Sequence, residues 1–304
     1  ERGTLLASDD DRAWSLSTPD YQKWLQCVET RKARCFDDVA QVRVGIKTTA
    51  DGVFIRDDWD SLPTRVRPED DLLRPLITHL DARRWIPAQR TGQVRVLYPH
   101  TIRNGKRVAV DLNKCPRARA YLESNKERLS SRQYLIDAGR KWYEIWGPHN
   151  PADWRKPKIT FPDIAEEPRF FLDSSGAIVN GDCYWLTLRA GLAADLLLLI
   201  LAVANSSFIT RYYDIAFHTK LYAGRRRFMT QYVKMFPLPD WKKPVSAEIV
   251  RQAAHLVAGR EIDQELERTV DRLVWESFGG YATDMPDRHP QVPCSEFVQA
   301  RRCL

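Results

Sequence analysis

The sequence predicts an α+β fold, in which a curved and mostly antiparallel sheet packs against helices and is followed by further helices on the C-terminal side. Two observations lead to this prediction. Short stretches rich in β-branched and aromatic residues alternate with turns that contain Asp-Gly or Asn-Gly. Elsewhere, above all between Ile249 and Leu273, apolar residues recur at helical spacing. The 304 residues, of which 43% are hydrophobic, suffice for a substantial core.

Hairpins are the main components of the predicted sheet. The stretch from Val42 to Ile55 predicts one hairpin, with Asp51-Gly52 at its turn, and the stretch from Ile102 to Asp111 predicts another, with Asn104-Gly105 at its turn. A further pair of strands is predicted between Lys141 and Ile159. The other predicted strands are Val94–Tyr98, Phe170–Asp173 and Asp182–Leu188.

The predicted helices divide the chain into segments. Within the main segment, helices are predicted from Pro116 to Ala138, with one basic face, and from Ala193 to Ile209, with apolar residues all round. The predicted divisions are a helical connector at 1–40 with a helix from Tyr21 to Thr30, a main domain at 41–240, a helical segment at 245–280 and an irregular tail at 281–304.

The charge balance favours an anionic partner. Lys and Arg number 47 against 40 Asp and Glu, so the formal net charge is +7 and the isoelectric point is near 9.1. A basic excess of this size is typical of proteins that bind a polyanion, although many basic proteins bind no nucleic acid.

The rest of the composition favours a cytoplasmic protein. The six cysteines are scattered, without a Cys-x-x-Cys pair, as is typical of reduced thiols. The longest apolar run, Leu196 to Ala204, is too short to cross a bilayer, so no membrane partner is predicted. We expect no signal peptide, and because the sequence begins at Glu1 without a methionine we expect it to be part of a longer protein.

One stretch resembles a known family. The residues from Val42 to Ile55 resemble the valine, any, glycine, isoleucine, any, threonine, glycine signature that opens the target-recognition domain of TaqI-type adenine-specific DNA methyltransferases. Thr49 stands where that family usually has glycine. Glycine there would admit backbone dihedrals that threonine resists.

Further motifs of that family follow in the same order, over roughly Val42 to Gly279. They are Leu73–Ile77, the Trp142-Tyr143-Glu144 stretch, the turn at Asn150-Pro151, Pro157-Lys158-Ile159, Asn205-Ser206 and Pro237-Leu238-Pro239. The resemblance implies that 41–240 is the sequence-specific DNA-recognition domain of an adenine-specific restriction-modification methyltransferase, either without a nuclease or of the type that is fused to one. Its partners would be double-stranded DNA and an upstream catalytic domain.

Motifs for catalysis are missing from the sequence. The methyltransferases of this family bind S-adenosylmethionine at a glycine-rich loop, but the chain contains no Gly-x-Gly. Asn150-Pro151-Ala152-Asp153 begins like their catalytic motif but lacks its second proline and its aromatic residue, so we predict a turn. We therefore expect no cofactor in this chain and place S-adenosylmethionine in a catalytic domain upstream of Glu1. Asp240-Trp241-Lys242 fits half of a nuclease motif and is interpreted as chance.

The candidate DNA-binding residues are basic clusters that lie beside aromatic residues or in turns, since Lys and Arg bind phosphates and Arg also reads guanine. Each cluster has a structural alternative. Lys158 could lie over apolar surface, and three consecutive arginines could form a solvated loop. The candidates are Lys47, Thr48, Thr49, Arg83, Arg84, Lys141, Tyr143, Arg155, Lys156, Lys158, Arg225, Arg226 and Arg227.

Other functions stay open at this point. The chain could be the specificity subunit of a multisubunit restriction system, although such subunits commonly hold two recognition domains and no internal repeat is visible. It could also be a protein-interaction module, whose basic residues only keep it in solution, or a nuclease whose site forms only in the fold. Salt-dependent binding to duplex DNA and metal-dependent cleavage would separate these functions.

Overall fold

A computed structural model describes residues 19–280, except 91, 218 and 220, together with two short strands nearer the N-terminus. The predicted tail at 281–304 lies outside the described residues. The strands are β1 (Thr4–Leu5), β2 (Leu16–Ser17), β3 (Arg34–Cys35), β4 (Ala40–Val44), β5 (Ile55–Arg56), β6 (Leu73–Ile77), β7 (Arg95–Leu97), β8 (His100–Arg103), β9 (Lys106–Ala109), β10 (Lys158–Pro162), β11 (Ile164–Ala165), β12 (Phe171–Asp173), β13 (Ile178–Val179), β14 (Cys183–Leu188), β15 (Arg226–Arg227) and β16 (Pro237–Leu238).

The helices alternate with these strands along the chain. They are α1 (Pro19–Arg31), α2 (Phe36–Val39), α3 (Asp51–Phe54), α4 (Pro116–Ser124), α5 (Lys126–Ser130), α6 (Gln133–Asp137), α7 (Leu196–Asn205), α8 (Ser207–Phe217), α9 (Thr230–Val233), α10 (Pro244–Ala258) and α11 (Gln264–Ser277). Together with the antiparallel sheets, they confirm the predicted α+β class.

The central sheet has the strand order β12-β10-β14-β4 and is antiparallel throughout. Successive side chains of a strand point to opposite faces. Accordingly, Leu186 of β14 packs among the helices, whereas its neighbour Trp185 packs against the second sheet. Both faces of the central sheet are therefore buried.

The second sheet has the order β13-β6-β7-β5, in which only β13 and β6 run parallel. Trp59, Trp154 and Trp185 are fully buried in the core that joins it to the central sheet. The ring centroids of Trp154 and Trp185 lie 4.7 Å apart. This aromatic core fixes the loops near β4.

The other face of the central sheet is covered by α7, α8, α10 and α11. Every residue of α7 except Leu198 is buried, as its uniformly apolar sequence requires. At the end of α7, the Asn205 side chain accepts a hydrogen bond from the Phe170 amide at 3.0 Å and donates one to the Phe170 carbonyl at 2.8 Å. The end of the helix is thus attached to the start of β12.

Among the described residues, no single helix is long and apolar enough to cross a membrane. The helices α7 and α8 reach that length and apolar composition only when taken together, and they meet at an angle of 68°.

The predicted hairpin from Val42 to Ile55 is wrong. β4 pairs with β14 in the central sheet, whereas β5 pairs with β7 in the second sheet. Asp51-Gly52 begins helix α3 rather than a two-residue turn, because the Thr48 hydroxyl accepts a hydrogen bond from the Ala50 amide and donates one to Asp51.

The predicted strand at Lys141–Trp146 is also wrong, and these residues form turns. The carbonyls of Trp142 and Glu144 accept hydrogen bonds from the buried guanidinium of Arg132, at 2.6 and 3.1 Å, so they are not free for a strand partner. The second member of the predicted pair is correct, since β10 begins at Lys158.

The two long predicted helices are each interrupted. The segment from Pro116 to Ala138 contains α4, α5 and α6, and the first break is at Asn125, whose side chain donates to the Tyr121 carbonyl at 2.9 Å. The segment from Ala193 to Ile209 is divided at Ser206, whose hydroxyl donates to the Val203 carbonyl at 2.7 Å. The remaining predicted strands are confirmed, as is the hairpin at Asn104-Gly105.

Candidate nucleic-acid interface

The edge of the central sheet at β4 holds the first of the predicted site residues. β4 pairs with β14 on one side. Just past its end, the backbone of Ile46 forms a bridge with Asn180, and that of Lys47 forms one with Gly147. The segment at Ile46 and Lys47 is therefore held between Asn180 and Gly147, at the place where the sequence predicted an open hairpin.

Gly45 permits a very close approach of two backbones at this edge. A Cβ atom at this position would lie 1.9 Å from the carbonyl oxygen of Asn180 and 2.6 Å from that of Val179. The Gly45 amide donates to the Cys183 carbonyl, and the Ile46 amide donates to that of Val179, each at 2.8 Å. Only glycine fits here without moving the neighbouring chain.

A loop at residues 147–153 runs alongside β4. Gly147 and Lys47 exchange backbone hydrogen bonds of 3.0 and 3.3 Å. The His149 ring packs edge-on against Trp154 and Trp185, with centroid distances of 5.5 and 5.6 Å. Burial lowers the pKa of His149 below its usual 6.5, so the ring is neutral at neutral pH. The loop is therefore fixed by packing as well as by hydrogen bonds.

Thr48 and Thr49 form the turn after Lys47. Thr49 has a φ of +58°, which is the left-handed conformation that the glycine of the TaqI-type signature would adopt more easily. The Arg132 guanidinium holds this turn by donating to the Thr48 carbonyl at 2.9 Å, in addition to the carbonyls of Trp142 and Glu144. Arg132 thus connects the signature turn to the turns at 141–146.

Exposed cations lie on both sides of the 147–153 loop. Lys47, Lys141, Arg155 and Lys156 are exposed, and together we call them the β4-edge surface. Lys156 forms an ion pair of 2.7 Å with Asp153. Lys47 and Arg155 have no carboxylate within ion-pair distance among the residues that the structure describes. The surface therefore carries positive charge that the folded chain does not neutralise.

Four of the predicted site residues are instead buried, and we remove them from the candidate interface. Lys158 is 0% exposed, and its ammonium group lies 2.5 Å from Asp173. Burial lowers the pKa of Lys158, and the nearby carboxylate opposes this shift. The others are Thr48, which is buried in the signature turn, Tyr143, whose hydroxyl donates to the Val110 carbonyl at 2.6 Å, and Arg226.

Arg226 forms a structural ion pair. Its guanidinium donates two hydrogen bonds of 2.7 Å to the carboxylate of Asp214, and a third to the Glu166 carbonyl. The guanidinium fork matches a carboxylate in this way, and the pair joins β15 to α8. Its donors are therefore not available to a phosphate.

Arg83 and Arg84 lie at the opposite edge of the central sheet, where Trp85 forms a bridge with Phe171 of β12. Arg84 lies 2.9 Å from Glu267 of α11 and donates to the Asn205 carbonyl at 2.6 Å, so it attaches this loop to the helices. Arg83 is exposed and lines a groove of about 610 Å³. Since this loop lies one strand spacing beyond β12 and β12 lies three spacings from β4, roughly 19 Å separates the loop from β4.

Arg225 and Arg227 are exposed near the end of the sheet that carries Lys47. Arg227 pairs with Asp163 at 3.2 Å. The Asp163 amide donates to the Asp182 carbonyl at 3.0 Å, just before β14 begins. Of the three consecutive arginines, Arg225 is exposed without an ion pair among the described residues.

Three basic residues of the β8–β9 hairpin were missed by the sequence interpretation. Residues 101–107 are all exposed, and they include Arg103, Lys106 and Arg107. Arg107 donates to the His149 carbonyl at 3.4 Å, so the base of the hairpin lies next to the 147–153 loop. The signal that could have found them is three cations within three residues of an Asn-Gly turn.

The turn at Asn150-Pro151-Ala152-Asp153 is confirmed. The Asn150 side-chain oxygen accepts a hydrogen bond from the Ala152 amide at 3.0 Å, and its carbonyl accepts one from the Asp153 amide at 3.0 Å. The amide oxygen is thus occupied within the turn. In the part of the chain that the structure describes, no three His, Cys, Asp or Glu side chains are grouped so that they could hold a metal ion.

Comparison with known families shows what this part of the chain is similar to. Residues 102–238, slightly less than half of the chain, match the model of the TaqI-like C-terminal specificity domain. The match begins in the β8–β9 hairpin and ends with β16, and it confirms the resemblance seen in the sequence motifs.

The curated relatives that the chain matches are type II methyltransferases. The chain is 39% identical over 281 residues to the type II methyltransferase M.BanIII of Aneurinibacillus aneurinilyticus, covering 91% of this chain and 48% of that protein. It is 27% identical to M.PaeR7I of Pseudomonas aeruginosa, over 86% of this chain and 42% of that protein. The chain thus spans about half the length of the curated relatives that it matches.

A solved structure has a similar fold. It is that of the type IIL restriction-modification enzyme MmeI in complex with DNA, which matches with a TM-score of 0.56 and 12% identity. The match covers 84% of this chain and 35% of that chain. At this identity the similarity concerns the fold alone.

Proposed function

We propose that this TaqI-like chain grips duplex DNA with its β4-edge surface and reads its sequence on behalf of an adenine-specific DNA methyltransferase. The observation that carries the proposal is the set of exposed cations along one sheet edge, of which Lys47 and Arg155 have no carboxylate partner within the described residues. Such cations bind phosphates without regard to sequence and set the register of a protein on the duplex.

The rigidity of this edge supports the proposal. Lys47 is held by backbone hydrogen bonds to Gly147, and the turn that follows it is held by Arg132. A surface that is ordered before binding loses little conformational freedom when the ligand arrives. The backbone that carries Lys47 is therefore ordered before DNA binds.

The whole protein would combine this recognition domain with a catalytic domain. The curated relatives are methyltransferases about twice as long as this chain, which supports such a division. S-adenosylmethionine would supply the methyl group in the catalytic domain, where a flipped adenine would receive it. The residues of this chain do not fit that cofactor, since no Gly-x-Gly is present and the Asn150 amide is occupied within its turn.

The setting that we propose is a cytoplasmic restriction-modification system that defends against phage. The specificity subunit of a multisubunit restriction system would use a similar surface. We favour the methyltransferase because type II methyltransferases are the relatives that cover most of this chain.

Fluorescence anisotropy with a pool of random duplexes, at several salt concentrations, tests the proposal. The variant Lys47→Ala/Arg155→Ala should reduce the slope of log affinity against log salt by about two, since each phosphate contact accounts for about 0.9 of that slope. The matched control is Arg251→Ala/Arg268→Ala, which removes two exposed arginines from α10 and α11, on the helical side of the molecule. This control should bind like the wild type.

Two results would contradict the proposal. If the wild-type chain does not bind duplex DNA even at low salt, a protein-interaction module becomes the better description. If both double variants reduce the slope equally, the binding is a general effect of charge and not a property of the β4 edge. Sequencing of the retained duplexes then shows whether a motif is enriched, as sequence-specific recognition requires.

A further inference from the structure

The β8–β9 hairpin is a separate two-stranded ribbon. Within the described part of the chain its strands pair only with each other, in a register that runs from His100 opposite Ala109 to Arg103 opposite Lys106. Asn104 and Gly105 form the tip, with φ values of +50° and +71°. At about 3.4 Å per residue, three residues on each strand extend roughly 10 Å beyond the buried base.

The two faces of this ribbon differ. Residues that are opposite in the register share a face, so His100 and Ala109 lie on the same face as Ile102 and Arg107. This face is anchored, because His100 is buried and accepts a hydrogen bond from the Ile145 amide at 3.1 Å. The other face, with Arg103 and Lys106 near the tip, is exposed.

The charges at the tip are unfavourable in the isolated chain. Arg103 and Lys106 are directly opposite each other, and like charges in this arrangement destabilise a pair of strands. Neither has a carboxylate within ion-pair distance among the described residues. Ile102, on the other face of the ribbon, is 39% exposed. A ribbon with two facing cations and an exposed apolar side chain is suited to an anionic partner that also offers apolar contacts.

The shape and chemistry of the tip fit the major groove. That groove is about 12 Å wide and 8.5 Å deep, and it admits a two-stranded ribbon. Arginine and lysine pair with guanine there, asparagine pairs with adenine, and apolar side chains contact the methyl group of thymine. The base of the hairpin lies next to the 147–153 loop through Arg107 and His149. A ribbon in the groove would therefore leave the β4-edge surface beside the phosphates.

We propose that the β8–β9 hairpin enters the major groove and reads base edges, with Arg103 and Lys106 as specificity-determining residues. This inference rests on the proposed function, because it assigns sequence reading to one element of the DNA-binding chain. The β4-edge surface grips the backbone, and the hairpin discriminates between sequences.

Selection from random duplexes followed by sequencing, with each variant of the chain, tests this assignment. Arg103→Lys keeps the positive charge but loses the two-pronged donor, so it should relax the preference at one or two positions of the motif by roughly 5- to 150-fold. Lys106→Ala should relax the preference at a neighbouring position. The control Lys47→Ala should weaken binding and reduce the salt slope while the motif stays the same.

The outcomes separate the two proposals. If the wild type enriches a motif and the hairpin variants enrich it unchanged, the hairpin does not read bases and the inference is overturned, while the proposed function stands. If the hairpin variants weaken binding equally for all sequences, the hairpin only touches phosphates, and the inference is again overturned. If the wild type binds no duplex or enriches no motif, both proposals fall. Circular dichroism of each variant should match the wild type, since both side chains are exposed.

Discussion

Gly45→Ala is the substitution whose effect follows most directly from the geometry. The new methyl group would lie 1.9 Å from the carbonyl oxygen of Asn180. A carbon and a carbonyl oxygen approach each other to about 3.3 Å, so the two backbones would have to separate by about 1.4 Å. Neither backbone can move alone, because the Gly45 and Ile46 amides donate to the carbonyls of Cys183 and Val179.

The loss of stability follows from the hydrogen bonds at this edge and from the crowding. Two backbone hydrogen bonds of 2.8 Å would be broken or stretched, each contributing about 1 kcal/mol. Forcing a methyl group into a packed interior adds about 2 kcal/mol. We expect the free energy of unfolding to fall by about 4 kcal/mol, which is a large share of the roughly 5–15 kcal/mol that stabilises a protein.

Urea denaturation followed by tryptophan fluorescence measures this effect. With a slope of about 3 kcal/mol per molar urea, the midpoint should fall by about 1.3 M. The matched control is Gly147→Ala on the facing chain, where the nearest atom to the new methyl group is the Lys47 nitrogen at 3.4 Å, an ordinary contact. If the midpoint of Gly45→Ala equals that of the control, the close approach does not constrain this edge and the reasoning is refuted.

Three further predictions concern buried polar groups. Arg132→Lys should lower the free energy of unfolding by about 2 kcal/mol, because an ammonium group cannot reach all the carbonyls that the guanidinium binds, and an unchanged urea midpoint would contradict this. Burial lowers the pKa of His100 to about 3, so the free energy of unfolding should fall by up to about 1.4 kcal/mol per pH unit as the pH drops from 6.5 toward 3. Unfolding curves recorded at several pH values should show that His100→Gln flattens this dependence. Lys158→Met should lower the free energy of unfolding by about 3–5 kcal/mol, because it leaves the Asp173 carboxylate buried and unpaired. Adding Asp173→Asn should restore part of the melting temperature. A melting temperature that does not recover would show that the pair contributes little.

Local turn chemistry explains which parts of the fold the sequence could predict. The β8–β9 hairpin follows from Asn104-Gly105, because these two residues tolerate the positive φ values of its turn. Asp51-Gly52 carries the same signal but begins a helix, since β4 finds its partner in β14, far along the chain. A pattern within one stretch contains no information about a distant partner.

The residues of the candidate site were likewise predictable from the sequence only in part. Motif order led to the specificity-domain family whose model residues 102–238 match, and to Lys47, which is exposed. It could not distinguish Arg225, which has no ion pair among the described residues, from Arg226, which pairs with Asp214, because the two arginines have the same sequence context. Likewise, Lys158 is buried only because Asp173 is its neighbour on β12. Exposure of a charged residue depends on its partner in space.

The central sheet limits how this chain can be cut and recombined. Trp185 and Leu186 are consecutive on β14 yet belong to different cores, so disorder in this strand would open both cores together. A truncation after residue 240 would remove α10 and α11 and leave the apolar flank of α7 facing water. On the proposal that the tip at 101–107 reads bases, a graft of the tip alone would exchange target sequences between relatives without taking a strand or helix away from either core.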